Sequence, residues 1–126
     1  MQKLLISLLF LMLFFGAAHA GSREKLEAVQ LKAEQGNAQA QNKLGIFYEI
    51  GLGINQDDHE AVKWYRLAAE QGYAEAQFNL GEMYEEGRGV IQDKTMAKAW
   101  YEKACKNGWE CGCKKLRLLS NHDCGE

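Results

Sequence analysis

Residues 68–89 read AAEQGYAEAQFNLGEMYEEGRG, and residues 32–53 read KAEQGNAQAQNKLGIFYEIGLG, which is nearly the same phrase. When the chain is shifted against itself by 36 residues, alanine, leucine, glycine and tyrosine recur at matching positions. Trp64 and Tyr65 recur as Trp100 and Tyr101, which indicates packing between units rather than a ligand site. A fixed period of this length is typical of a solenoid, whose units are each too small to bury an apolar face alone.

Each unit is predicted to form two helices joined by a glycine-rich turn. Ala40, Leu44 and Tyr48 are spaced by four residues, so they share one face of a first helix over residues 38–50. Gly45 keeps that face flat enough for a neighbouring helix to approach closely. Asp57 precedes the second helix as its N-cap.

The repeat therefore predicts an all-α fold, a right-handed α/α superhelical solenoid of about six helices without a sheet. A more polar helix precedes the first unit and suits a terminal cap that faces water. In the first helix of a third unit, Arg117 and Ser120 replace the glycine and tyrosine of the repeat, which ends the stack. The predicted organisation is a signal peptide (1–20), a capping helix (21–36), two full units (37–72 and 73–108) and a partial unit with a tail (109–126).

The amino terminus has the features of a secretory signal peptide. Lys3 precedes an almost unbroken apolar run over residues 4–15, and Ala18 and Ala20 form an A-x-A cleavage pattern. The run is shorter than the ~20 apolar residues that span a bilayer. We therefore expect a periplasmic or secreted protein that is not stably inserted in a membrane after cleavage. A net charge of −2 without a basic cluster argues against a nucleic-acid partner.

The repeated residues resemble those of a known family. The phrase A-x-x-x-L-G-x-x-Y-x-x-G-x-G, followed by D, A, W-Y and A-A-x-x-G, is similar to the Sel-one-like repeat, an α/α solenoid related to tetratricopeptide repeats. The resemblance covers nearly all of the chain after residue 20. It implies a bacterial source and a concave surface, lined by the first helix of each unit, that holds a partner. Asn55 and Ile91 stand where the family often has proline.

Four cysteines in an exported chain favour two disulfides, for which three pairings are possible. The C-x7-C spacing of Cys105 and Cys113 is similar to that of the cysteine-rich secreted branch of the family. This resemblance implies a Cys105–Cys113 bridge and leaves Cys111 and Cys124 as the second pair. A zinc site made of Cys111, Cys113, His122 and Cys124 is the competing hypothesis, but its C-x-C spacing is tighter than structural zinc sites use.

Catalytic motifs are weak in this sequence. Ser22 and Lys25 fit S-x-x-K, the nucleophile motif of penicillin-binding enzymes, but the accompanying S-D-N and K-T-G motifs are missing. Labels within the family imply a β-lactamase-like hydrolase as an alternative function. His59 follows two aspartates at a helix start and is interpreted as a surface residue. We expect no enzyme activity, no cofactor and no metal.

The predicted function is the binding of a protein or peptide of unknown identity, and a toxin-neutralising immunity protein is a further alternative. The first half of the predicted groove contains both polar and apolar residues, and the second half is acidic around a phenylalanine. Such a groove favours a partner segment with basic residues and an apolar anchor. The groove positions are Asn42, Ile46, Glu49, Ile50, Phe78, Glu82, Glu85 and Glu86.

Overall fold

A computed structural model of the protein describes residues 21–122, in which all regular structure is helical. This confirms the predicted all-α fold of six helices. The predicted signal peptide and Cys124 lie outside the described residues. The helices are α1 (21–34), α2 (Ala38–Ile50), α3 (Asp58–Glu70), α4 (Ala74–Glu86), α5 (Lys94–Lys106) and α6 (Glu110–His122).

From α2 onward, each helix packs mainly against the next one in the chain, as helix-turn-helix repeats require. The predicted cap Asp57 is present, and Asp93 caps the equivalent helix of the second unit. The carboxylate of Asp57 accepts from the backbone N–H groups of His59 and Glu60 at 2.9 and 3.1 Å. The carboxylate of Asp93 accepts from the N–H of Met96 at 3.0 Å. Each cap satisfies donors that the first turn of a helix leaves unpaired.

Two tyrosines lie at the centre of the two units. Tyr65 and Tyr101 are both 0% exposed. A Cβ added to Gly45 would lie 2.6 Å from Cδ1 and Cε1 of Tyr65, and one added to Gly81 would lie 2.6 Å from Cε1 of Tyr101. Both distances are too short for any side chain, so the glycines allow the tyrosine rings to pack directly on the helix backbone. The predicted role of Gly45 is confirmed.

One side-chain contact recurs at the first two junctions between units. Nε2 of Gln41 donates to the carbonyl of Ala33 at 3.1 Å, and Nε2 of Gln77 donates to the carbonyl of Ala69 at 3.0 Å. At the third junction the same positions are occupied by the disulfide Cys105–Cys113, with 4.8 Å between the Cα atoms. A covalent bond thus takes the place of the hydrogen bond where the stack ends.

The two repeated tryptophans are half-buried and pack on the hydrophobic core. Trp64 contacts the cluster built on Ala33 and Leu44, and Trp100 contacts the central cluster around Tyr65. This confirms the packing interpretation of the two residues. Over residues 21–122, no helix combines the length and apolar character that crossing a bilayer requires.

Candidate functional site

The first helices of successive units lie side by side. Nδ2 of Asn79 on α4 donates to Oδ1 of Asn42 on α2 at 3.0 Å. Nζ of Lys115 on α6 lies 2.9 Å from Oε2 of Glu85 on α4. We call the surface that these helices and the turn after α4 share the acidic face. It comprises Glu49, Phe78, Glu82, Glu85, Glu86, Arg88 and Lys115.

Two of the carboxylates on the acidic face are held by the buried tyrosines. The hydroxyl of Tyr65 donates to Oε2 of Glu49, and the hydroxyl of Tyr101 donates to Oε2 of Glu85 at 2.6 Å. The two pairs occupy equivalent positions of the repeat. Burial and the hydrogen bond to Glu85 raise the pKa of Tyr101, so the hydroxyl stays protonated and remains a donor. Glu49 and Glu85 are therefore fixed parts of the scaffold.

A cation from the next unit completes each pair. Nη1 of Arg88 lies 3.0 Å from Oε1 of Glu49, and Lys115 plays the same part for Glu85. Burial alone would raise the pKa of Glu85, but the hydrogen bonds from Tyr101 and Lys115 outweigh it and lower the pKa. Glu85 is consequently ionised and paired over the whole physiological range.

Arg88 joins two units through three carboxylates. Besides Glu49, its guanidinium contacts Asp58 at 3.1 Å and Glu86 at 3.3 Å. Arg88 was not predicted from the sequence because the first unit has Leu52 at the equivalent position, so the arginine does not recur. One signal in the sequence could have indicated these paired charges. Each buried tyrosine, Tyr65 and Tyr101, has a glutamate 16 residues before it.

Glu82 differs from its neighbours. It is half-buried and, over residues 21–122, has neither a hydrogen bond nor an ion pair with another side chain. Burial raises the pKa of Glu82, and the nearby charge of Lys115 offsets this in part. The carboxylates of Glu49, Glu85 and Glu86 raise it further. Glu82 is thus the carboxylate on this face whose charge is least compensated.

The apolar residues predicted for the groove occupy different environments. The half-buried ring of Phe78 lies beside Tyr101, with 5.4 Å between the ring centroids. Ile46 is half-buried against the central core cluster. Ile50 is 62% exposed at the end of α2. Phe78 and Ile50 therefore offer apolar surface to solvent, whereas Ile46 serves mainly in packing.

Asn42 does not face solvent, so its predicted place in the groove is wrong. Its side chain is 2% exposed and lies between α2 and α4, where it accepts the hydrogen bond from Asn79. A buried carboxamide whose hydrogen bond is satisfied inside the protein is a structural contact between units. Asn42 is unavailable to a partner.

The cysteines do not support the zinc hypothesis. Cys113 is bonded to Cys105, as the family resemblance implied, and a disulfide sulfur cannot serve as a thiolate ligand. Cys111 is exposed and unbonded among the described residues, and Cys124 lies outside them. No group of histidines, cysteines and carboxylates that could hold a metal ion occurs within residues 21–122.

The residues considered for catalysis are dispersed over the surface. Ser22 and Lys25 are both exposed on α1, and His59 is exposed at the start of α3. His59 follows Asp58, the ion-pair partner of Arg88, whereas Ser22 and Lys25 lie two helices earlier in the chain.

The Sel1 repeat family model matches residues 38–73 and 74–109. None of the curated proteins matches the chain. Among solved structures, a Sel1 repeat protein from Oxalobacter formigenes is 43% identical, with a TM-score of 0.69, over 71% of this chain and 67% of that one. A protective antigen of uropathogenic Escherichia coli strains, which displays an SLR fold, is 40% identical, with a TM-score of 0.75, over 78% of this chain.

That match spans only 21% of the Escherichia coli protein. Helicobacter pylori cysteine rich protein B is 26% identical, with a TM-score of 0.72, over 75% of this chain and 71% of that one.

Proposed function

Because the chain belongs to the Sel1 repeat family, we propose that it is an exported scaffold that binds another protein or a peptide along its acidic face and catalyses no reaction. The partner segment carries at least one basic side chain and one apolar anchor. The proposal rests on Glu82, which lies on α4 with the half-buried Phe78 and, among residues 21–122, has neither a hydrogen bond nor an ion pair. The other carboxylates of this face are already engaged by Arg88 or Lys115.

The chemistry of the face supports this kind of partner. Four carboxylates and two cations leave the acidic face with a net negative charge. A basic side chain that approaches Glu82 would relieve the repulsion among the glutamates and lower the pKa of Glu82. Phe78, held against Tyr101, presents a fixed apolar surface to the neighbouring side chain of the partner. Complementary charge of this kind speeds encounter and selects partners more than it adds affinity.

A peptide-display selection against the purified protein tests the proposal. We expect the selected peptides to be enriched in lysine or arginine next to an aromatic or aliphatic residue. The double variant Glu82→Lys/Glu86→Lys should lose these peptides. Glu70→Lys/Glu102→Lys is the matched control, since it reverses two exposed charges on α3 and α5. Peptides that bind the Glu82→Lys/Glu86→Lys variant unchanged at low salt would refute the acidic face as the binding site.

The absence of catalysis is part of the proposal and has its own test. Ser22 and Lys25 fit S-x-x-K and are exposed on α1, but the S-D-N and K-T-G motifs that accompany it in penicillin-binding enzymes are missing from the sequence. We expect purified protein not to hydrolyse nitrocefin, a chromogenic β-lactam. Hydrolysis that is abolished in Ser22→Ala would establish the hydrolase alternative instead.

Export and the second disulfide also belong to the proposal. In an oxidising compartment, exposed Cys111 would be bonded to Cys124 and would hold the tail against α6. Intact mass of the exported protein measures both features. We expect loss of residues 1–20 and a mass about 4 Da below that of the fully reduced chain, because each disulfide removes two hydrogens. A deficit of about 2 Da would show that the exported chain has one disulfide and would contradict the second pair.

A further inference from the structure

A second surface feature lies at the opposite end of the stack from the disulfide. A cleft of about 680 Å³ opens between α1, the last turns of α2 and the turn that follows α2. We call it the N-terminal cleft. Among residues 21–122, the side chains that line it are Ser22, Arg23, Lys25, Leu26, Phe47 and Leu52.

The N-terminal cleft lies between α1 and the turn after α2. The equivalent place one unit later, between α3 and the turn after α4, is a closed junction. A Cβ added to Gly89 would lie only 2.3 Å from the carbonyl oxygen of Asp58, so the turn after α4 packs directly on the start of α3. Gly53 is the equivalent glycine in the first unit, and the nearest atom to its added Cβ is Cδ2 of Leu26 at 3.8 Å. Met83 is 1% exposed in the closed junction, whereas its equivalent Phe47 is half-buried.

Two substitutions explain why this junction is open. Lys25 occupies the position at which Ala61 is 0% exposed, and a lysine ammonium cannot be buried there without a partner. Leu52 occupies the position of Arg88, whose 3.1 Å ion pair with Asp58 closes the inner junction. Without the small side chain and without the ion pair, the turn meets α1 through the Leu26 side chain and does not pack on the α1 backbone.

The lining of the cleft has two chemically distinct parts. Leu26, Phe47 and Leu52 form an apolar wall, and Leu52 is 54% exposed. Arg23 and Lys25 add two positive charges, and neither forms an ion pair within residues 21–122. The volume is within the roughly 300–1,000 Å³ that is usual for small-molecule sites.

We propose that the N-terminal cleft binds an amphiphilic carboxylate, a small molecule with one anionic head and an apolar chain. The carboxylate pairs with Arg23 and Lys25, and the chain lies against Leu26, Phe47 and Leu52. The site is independent of the acidic face, since it lies on α1 and the first unit and has the opposite charge. Ligand binding there supplies the contacts that Arg88 and Met83 supply in the closed junction.

Titration calorimetry with octanoate tests the proposal on the chain recovered after export, with its amino terminus identified by intact mass. Acetate carries the same head without the chain, and 1-octanol carries the chain without the charge. We expect saturable one-to-one binding of octanoate that is at least tenfold tighter than that of either probe. No saturable binding of octanoate, or equal binding of octanol, would overturn the proposal.

Variants then locate the site. Lys25→Ala should weaken octanoate binding at least tenfold. Lys98→Ala removes one exposed charge from α5 and should leave binding unchanged. Equal effects of the two variants would show non-specific charge attraction and would overturn the assignment.

A variant designed to close the cleft, called the closing variant, distinguishes loss of the site from unfolding of the protein. Ser22→Asp, Lys25→Ala, Phe47→Met and Leu52→Arg together copy the residues of the inner junction into the first unit. This variant should lose octanoate binding while its thermal midpoint is maintained or raised. Retained binding in a folded closing variant would contradict the proposal.

Discussion

Replacing Gly89 by alanine tests whether the turn after α4 locks one unit onto the preceding one. Gly89 and Gly53 are equivalent glycines of the repeat, and both have a left-handed backbone, with φ of 67° and 71°. They differ in what surrounds them. The Cβ of an alanine at 89 would lie 2.3 Å from the carbonyl oxygen of Asp58 and 2.6 Å from its carbonyl carbon. At 53 the nearest atom is 3.8 Å away, which is an ordinary contact.

The expected losses of stability follow from this difference. A left-handed backbone costs a residue with a Cβ about 1–2 kcal/mol, and this applies equally to Gly53→Ala and Gly89→Ala. Overpacking adds about 1–3 kcal/mol only at Gly89. The atoms that the new Cβ meets there are backbone, which cannot rotate aside as a side chain can. We therefore expect a loss of about 1–2 kcal/mol for Gly53→Ala and about 2–5 kcal/mol for Gly89→Ala, with the loss at Gly89 the larger of the two.

Urea unfolding followed by circular dichroism at 222 nm measures both losses. In thermal melts, a 100-residue domain shifts by roughly 4–8 °C for each kcal/mol, so the two variants should be clearly separated. Equal losses would refute the argument, because they would show that the turn is free to move away from α3. A smaller loss at Gly89 than at Gly53 would refute it as well.

Three further predictions concern single side chains. Tyr101→Phe removes the 2.6 Å hydrogen bond to Glu85 while filling the same space, and it should lower the free energy of unfolding by roughly 1.5–3 kcal/mol in urea titrations. Cys113→Ser opens the bond to Cys105 and should cost about 2–3 kcal/mol. The difference between Cys113→Ser and the unmodified protein should disappear in thermal melts with dithiothreitol, and a persisting difference would point to packing instead. Burial raises the pKa of Glu82 in the folded state, so its ionisation costs stability as the pH rises through that pKa. Glu82→Gln should therefore raise the urea midpoint at pH 7 but not below the ordinary pKa of 4.5, and an equal gain at both pH values would contradict this.

Local features were predictable because they depend on residues close together in the chain. The predicted bounds of α2 coincide with those observed. Asp57 caps α3 as expected, since an N-cap needs only a carboxylate and the N–H groups that follow it. The repeat also indicated that Gly45 lets a neighbouring helix approach closely, although its contact with the ring of Tyr65 came from the structure.

Contacts between units were harder to predict. Helical spacing assigns residues to one face of one helix, but it does not say which part of that face the next unit covers. Asn42 was assigned to the groove for this reason, whereas Asn79 of the next unit buries it. Arg88 was overlooked because its function depends on Glu49, 39 residues earlier in the chain.

The recurring residues alone were enough to specify the helices, the turns and the order of stacking. A residue that recurs at the same position of each unit is one that packing requires there. The charge left on Glu82 and the open cleft beside Lys25 could be recognised only in three dimensions. Both arise where one unit departs from the other, and the effect of such a departure depends on distances of a few ångströms between elements that are remote in sequence. Arg88 closes one junction, and the leucine at the same place in the first unit leaves the other open.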